Sequence, residues 1–386
     1  MKIAFIGQKG LPNHFGGVET HVAELATRFV NDGHDVTVYA RYWYTPKGTK
    51  TYNGIKILRI PSISTKHLDT ITHSVLSLCH VLFISRPDVL HIHAVGPALL
   101  AWIPKILCPH MTVIVTVHGL DRLQTKWGWI ARIMLRLGEY SAAHAGDALI
   151  VVSRSLASYF SRVYKKQAFF IPNGMTPRHT AVDNAVLRPL GVSAFEYVML
   201  VSRLVPQKNA HLLIDAWKKA QVIRPDIFNG VKLAIVGGEA KTKSYVRLLK
   251  RLAHGDTSIV FTGFQSGEVL NALYGGCLFA VHPSSHEGFP ISVLEAMGYG
   301  KAVIVSDIPA HMEVIGDCGL SFKKGSVDDL TAKLIELLED KMFAASLGHA
   351  ARIRIENEFH WDSIARETLA VYEERNALRE GVLAVE

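Results

Sequence analysis

LFAVHPSSHEGFPISVLE, Leu278 to Glu295, runs from an apolar strand candidate through a Gly-Phe-Pro turn into a helix candidate. A strand feeding a helix through a tight loop is the repeating unit of a parallel sheet covered by helices. Pro290 suits the first helical position, where its missing N–H would be an orphan anyway. The amides of Gly288, Phe289, Ile291 and Ser292 are then expected to face an anion, with the positive end of the helix dipole behind them. Glu295 falls one turn into the helix and Glu287 lies in the loop before it, so the two acids address different parts of one ligand. Ribose hydroxyls on one and sugar hydroxyls on the other would fit a sugar carried on a diphosphate. Acidic residues also favour the first turn of any helix, so the motif alone leaves a plain strand, turn and helix open.

The same unit recurs along the chain, as short Val- and Ile-rich runs alternating with helical patterns. Strands are expected at 3–6, 36–39, 55–60, 89–93, 113–117, 148–152 and 168–171, and a second series restarts at 197–201, 231–236, 258–262, 278–282 and 302–306. Helices fall between them, for example 19–32, stopped by Gly33, and 68–83, where Leu68, Ile71, Val75, Leu78 and Leu82 recur at helical spacing. A chain of 386 residues is long for one core, and the restart implies two doubly wound α/β domains, 1–180 and 181–360, with 361–386 as a final helix opened by Trp361. The boundary is expected in the polar stretch 176–189, after the turn Pro172-Asn173-Gly174. Ligands of open parallel sheets bind beyond the carboxyl ends of the strands, at the switch in strand order. Two such domains facing each other would make one central cleft.

Other motifs stand at the same strand ends. SRLVPQKN, Ser202 to Asn209, brings Arg203 and Lys208 to the end of the first strand of the second series, and Asn209 is placed to cap the next helix. A guanidinium and an ammonium suit a diphosphate, although surface loops commonly carry both. VGGE (236–239) and TGF (262–264) end two further strands, so Gly237 and Phe264 are candidates for contact with a nucleotide base and sugar; glycines in such turns are also common without a ligand. KGLPNHFGGVET (9–20) sets Gly16 and Gly17 before a helix, where backbone amides could touch a phosphate, or where the turn is merely mobile. It is neither a dinucleotide fingerprint nor a P-loop. Of 19 histidines, His118 in TVHGLD is the candidate for orienting an acceptor hydroxyl, with His93 a weaker second. No H-E-x-x-H and no D-x-D occurs, so no metal is expected and cations and amides must meet the diphosphate.

Charge is uneven: +11 over residues 1–180 and −3 over the remainder, within a net +8. The basic half should meet something anionic, and without a zinc finger, basic zipper or RNP-like strand a membrane surface fits better than nucleic acid. TKWGWIARIMLRLGE (125–139) mixes Lys126, Arg132 and Arg136 with Trp127, Trp129, Ile130 and Ile133, which suits a helix lying on anionic lipid and equally one packed on its own domain. No apolar run reaches the roughly 18 residues of a membrane span, since His80 and Pro104-Lys105 interrupt the best ones, and MKIAFIGQKG reads as a first buried strand rather than a signal peptide. Cys79, Cys108, Cys277 and Cys318 form no C-x-x-C pair and read as buried thiols in a reducing cytosol.

On these residues the chain resembles the retaining glycosyltransferases of family four, which have the GT-B fold, over nearly its whole length. Glu287 and Glu295 stand at the family's E-x7-E motif, Arg203 and Lys208 at its R-x4-K pair, Gly16 and Gly17 in its glycine loop and His118 at its active-site histidine. Phe359 to Trp361 resembles the start of the family's helix that returns to the first domain. The resemblance implies that Glu295 binds the ribose and Glu287 the transferred sugar, with Gly288, Phe289, Pro290 and Ile291 at sugar and phosphate. Arg203 and Lys208 would stabilise the departing diphosphate. It implies a cytoplasmic transferase without cofactor, acting on a nucleoside-diphosphate sugar and a lipid-linked or other glycan acceptor, with peripheral membrane contact. The motifs at 9–20 and 116–121 are similar to a subgroup linked to rhamnosyl transfer in bacterial surface polysaccharides. An epimerase of the same architecture and a nucleotide-binding subunit without activity stay open as rivals.

Overall fold

In the computed structural model, which describes residues 1–12, 16–65, 68–123, 127–178, 182–238 and 242–379, the contacts form two units. One is Met1–Asn173 joined by the C-terminal helix from Trp361, the other Gly174–His360. The first holds β1 (Lys2–Ile6), β2 (Asp35–Arg41), β3 (Thr51–Tyr52), β4 (Ile55–Ile60), β5 (Val89–His93), β6 (Thr112–Val117), β7 (Ala148–Val151) and β8 (Phe169–Phe170). Their order is β3-β4-β2-β1-β5-β6-β7-β8, parallel except for the β3/β4 ribbon. β5, β6 and β7 are buried at every position, as the continuous apolar runs of a sheet covered on both faces require.

The final helix, Trp361–Arg379, belongs to this first unit. Trp361, Ile364, Val371 and Tyr372 enter the core of β1, β2 and the helix Gly17–Asn31, and a buried aliphatic side chain such as Ile364 contributes about 1.5–3 kcal/mol. The second unit holds β9 (Tyr197–Val201), β10 (Lys232–Val236), β11 (Ile259–Gly263), β12 (Phe279–His282), β13 (Ala302–Ser306) and β14 (Leu320–Phe322), all parallel, in the order β11-β10-β9-β12-β13-β14.

Two expectations are corrected here. Helix Leu68–His80 runs on through a π-helical turn, Val81–Ser85, making 18 residues with mean hydropathy 1.3, long and apolar enough to cross a membrane by length and composition. His80 interrupts the hydropathy but not the backbone. Its polar side, His73, Ser74 and Ser77, is buried with Leu78, Val81 and Leu82, so the helix packs along the unit with Ile71, Val75, Phe83 and Ile84 exposed. Of the four cysteines, which all carry free thiols, only Cys277 is buried; Cys79 is exposed because it lies on the outer side of that helix.

Candidate active site

The second sheet switches direction between β9 and β12: the chain fills β10 and β11 on one side of β9, then crosses to β12, β13 and β14. The loops after β9 and β12 carry Arg203–Lys208 and Glu287, the position where an open parallel sheet receives its ligand. Three contacts stitch these loops together. The Ser285 N–H donates to the Gln207 carbonyl at 2.8 Å, the Asn209 amide to the Pro283 carbonyl at 3.0 Å, and Lys208 Nζ to the Glu287 carboxylate. Asn209 stands at the start of helix Ala210–Ile223 but makes no side-chain cap: its backbone is left-handed (φ 51°, ψ 35°) rather than extended, and its side chain is turned to donate to Pro283.

Lys208 and Glu287 are nearly shielded from solvent, 14% and 12% exposed. Burial pushes the Glu287 carboxyl up, but the Lys208 ammonium, His311 and hydrogen bonds from Lys208 and Ser284 outweigh it and hold the group at about 2. Glu287 is therefore ionised at neutral pH. Burial holds His282 at about 3 and His311 at about 4, so both flank the pair as neutral rings. Arg203 differs: its guanidinium is exposed and bonds to no other described residue.

Glu295, half-buried on helix Ile291–Gly298, accepts the Tyr274 hydroxyl at 2.7 Å, and Tyr274 stacks on Tyr299 with ring centroids 5.3 Å apart. Pro290 precedes the helix as its cap rather than opening it, since its ψ of 100° is extended. The amides of Ile291 and Ser292 then lead the helix without intrahelical partners. Phe289 and Pro290 are buried, Phe289 against Phe359, so this turn offers a ligand its backbone and Gly288. Gly237 has to be glycine: with φ 154°, a Cβ would lie 1.8 Å from the Ser202 carbonyl. The Ser202 N–H donating to the Val236 carbonyl at 3.0 Å and the Leu204 N–H to the Gly238 carbonyl at 3.2 Å hold the end of β10 against the Arg203 loop, and the exposed Phe264 ring packs beside Gly238.

In the first unit, Gly16 (φ 116°) precedes helix Gly17–Asn31, and a Cβ there would lie 1.9 Å from the Glu19 carboxylate. Glu19 is buried, accepts the Lys9 N–H at 3.0 Å and pairs with Lys9 Nζ at 3.5 Å. The chain's own carboxylate thus faces the start of this helix. Residues 13–15 of the motif, like Glu239 and residues 125–126 in theirs, lie outside the described residues.

His118 follows β6, half-buried, with Nε2 3.0 Å from Nδ1 of His93 at the end of β5. His21 meets the His118 ring edge-on at 4.8 Å and has Nδ1 2.8 Å from Asn173 Oδ1. Burial, then the nearby histidines, pushes His118 well below the usual histidine range, so it is a neutral hydrogen-bonding ring at pH 7.

Residues 192–354 match the model of glycosyl transferases group 1, and residues 15–179 that of Glycosyltransferase Family 4. The chain is a family-four glycosyltransferase. An uncharacterized glycosyltransferase of Methanocaldococcus jannaschii is 27% identical to it, over 96% of this chain and 98% of the relative. Among solved structures, sucrose-phosphate synthase from Thermosynechococcus elongatus has a TM-score of 0.81 at 21% identity, covering 98% of this chain and 99% of that one. Anabaena HepE in complex with UDP and glucose has a TM-score of 0.79 at 21% identity, covering 97% and 100%. The glycosyltransferase has the GT-B fold.

Within the glycosyltransferase, Arg203, Lys208, Gly237, Phe264 and Glu287–Glu295 all belong to the second unit, and Gly16, Gly17 and His118 to the first. Sequence reasoning missed His21, Asn173 and Tyr274, which stand against expected site residues. His21 and Asn173 are 152 positions apart, and no local pattern connects them. His91-Ile92-His93 did hold a signal: the period of a strand puts both rings on one side of β5, beside His118.

Proposed function

We propose that this glycosyltransferase moves a sugar from a nucleoside diphosphate to an acceptor hydroxyl with retention of anomeric configuration, and without a metal at the diphosphate. The observation that carries this reading is the shielded Lys208–Glu287 pair beside the uncommitted Arg203 at the β9/β12 switch. Arg203 and Lys208 would meet the charge developing on the departing diphosphate, where preorganised donors act most strongly. The helix start at Ile291 adds amides to the phosphate side, and Glu295 takes the ribose. UDP and glucose bound in the Anabaena structure support a nucleoside-diphosphate sugar as donor. Glu19 already faces the helix start behind Gly16 and Gly17, so the diphosphate is assigned to the cations and amides of the second unit rather than to this glycine pair.

Glu287 is tied to Lys208, which makes it a hydrogen-bond acceptor for the sugar rather than an attacking nucleophile. The acceptor oxygen would bond to the anomeric carbon on the face from which the phosphate leaves. Its proton passes to the leaving phosphate oxygen as the old carbon–oxygen bond breaks. Neutral His118 orients the acceptor hydroxyl.

A lipid-linked glycan precursor at the cytoplasmic membrane face is the acceptor class we favour. Trp129, Ile130, Ile133, Met134 and Leu137 of helix Trp129–His144 are exposed rather than packed, interleaved with exposed Arg132 and Arg136. Thr70 and Leu135 both adjoin Gly96, so the Leu68 and Trp129 helices pack on the same segment through their inner sides. Basic and apolar side chains on one exposed face suit anionic lipid. The test is nucleotide release from UDP-, GDP- and dTDP-sugars with and without membrane extract, followed by the anomeric configuration of the product. Release that requires extract and a retained anomer are expected. An isomerised nucleotide sugar from donor alone would point to an epimerase, and no release from any donor would overturn the proposal.

A further inference from the structure

Helix Gly17–Asn31, β5 and the loop after β6 bring three imidazoles of the first unit into one cluster. His21, His93 and His118 each offer one ring nitrogen, and these nitrogens all lie within 4.8 Å of one another. The His93–His118 pair is already at 3.0 Å. Zinc–nitrogen bonds of about 2.0–2.1 Å in a tetrahedral site set ligand nitrogens about 3.3 Å apart, so the cluster needs side-chain shifts of about an ångström or two to close.

A further observation concerns orientation. His93 is fully buried; its Nδ1 faces His118, and its other nitrogen, Nε2, has no partner among the described residues. His21 is oriented from behind: with Nδ1–H donated to Asn173 Oδ1 at 2.8 Å, its Nε2 keeps the lone pair. An oxygen hydrogen-bonded to the far ring nitrogen, fixing tautomer and ring orientation, is what metal-bound histidines ordinarily have. Trp361 and Phe5 close the surroundings, edge-on to His21 at 5.6 Å and stacked on His93 at 5.5 Å.

We infer that His21, His93 and His118 form a site for a borderline divalent transition metal such as Zn²⁺, with Asn173 as its supporting residue and a fourth position open on the half-buried His118 side. An all-imidazole set favours Zn²⁺, Co²⁺, Ni²⁺ or Cu²⁺ over Mg²⁺ or Ca²⁺, which prefer oxygen ligands. All three histidines and Asn173 belong to the first unit. Its consequence rests on the function proposed above: an ion on His118 removes the ring that orients the acceptor, so zinc would inhibit transfer.

The test is Co²⁺ titration of the full chain after chelation, read by the visible absorption of tetrahedral cobalt. One Co²⁺ per chain, displaced by Zn²⁺, is expected, without the thiolate charge-transfer band that the exposed Cys79 would give. His21→Gln and His118→Gln should each weaken binding by at least about 100-fold, and Asn173→Ala by about 10- to 100-fold, with circular dichroism reporting their folding. Should the variants not fold, X-ray absorption of the wild-type cobalt complex decides: imidazole nitrogens without sulfur support the site. No stoichiometric band, a band retained in both histidine variants, or a sulfur ligand would overturn it. Zinc should also slow acceptor-dependent nucleotide release in the wild type and lose that effect in His21→Gln. Binding without inhibition leaves the cation site standing and overturns instead the placing of His118 at the acceptor.

Discussion

Lys208 and Glu287, 79 positions apart, form an ion pair across the neighbouring ends of β9 and β12. Each is the other's counter-ion in a shielded place, so the pair is a unit and its halves are not independent. Removing one partner of a buried pair typically costs about 3–5 kcal/mol, because the remaining charge is left unpaired. Lys208→Ala and Glu287→Ala should therefore each lower stability by about 3 kcal/mol, a Tm loss of about 6–12 °C for a domain of this size. Each should also lower turnover by about 100-fold or more. The double variant Lys208→Met/Glu287→Leu should recover Tm and not turnover. Calorimetry and nucleotide release measure both, and wild-type turnover in either single variant would remove the pair from the chemistry.

Acid should unfold the protein in two stages. The unfolded chain protonates a histidine near 6.5, whereas His73 waits until about 4 and His282 until about 3. Between those values the unfolded state binds more protons, so stability falls as pH drops from 6.5 toward 4. Glu287 adds the second stage: its carboxyl sits at about 2 against a usual 4.5, so its contribution of about 3 kcal/mol is present above 4.5 and lost between 4.5 and 2. Tm measured against pH should bend first near 6.5. A flat Tm from pH 7 to 4.5 would contradict neutral, buried rings at His73 and His282.

Glu295 and Tyr274 give a prediction about the donor alone. A charge-assisted hydrogen bond contributes about 1.5–3 kcal/mol, so Glu295→Gln should raise the donor KM by about tenfold or more with little change in kcat. Tyr274→Phe should shift KM in the same direction by less, since it loosens the carboxylate without removing it. An unchanged KM in Glu295→Gln would place the ribose elsewhere.

Much of this was legible in the sequence for a physical reason. Strands buried on both faces read as mainly apolar runs, so β5, β9 and β13 stand at 89–93, 197–201 and 302–306, where those runs put them. Two edge strands, Thr51–Tyr52 and Leu320–Phe322, carry too few positions to show a period and passed unseen, whereas Phe169–Phe170 lies inside the apolar run expected at 168–171. Residue types at strand ends were readable, but their pairings were not. Arg203 and Lys208 look alike in SRLVPQKN, and only the fold shows one engaged by Glu287 and the other open. Asn209 illustrates the same limit: a good capping residue in the right place has its amide drawn away by Pro283, a residue 74 positions on.

The outward apolar side of helix Trp129–His144 yields the last prediction. Its inner side is held by Glu139, fully buried and bonded by Arg122 at 3.0 Å and Tyr159 at 2.7 Å, so the helix is anchored independently of its exposed residues. Replacing Trp129 and Ile133 by Ser should therefore leave Tm nearly unchanged while abolishing cosedimentation with anionic vesicles at any salt concentration. Arg132→Glu and Arg136→Glu should act differently: each lost basic residue is worth about 1 kcal/mol at an anionic surface, so binding weakens at least about fivefold per substitution at low salt and the difference fades as salt rises. The two responses separate insertion of apolar side chains from attraction to headgroup charge. If all four variants sediment like the wild type, this helix is not the membrane contact, and the basic charge of the first unit must serve another anion.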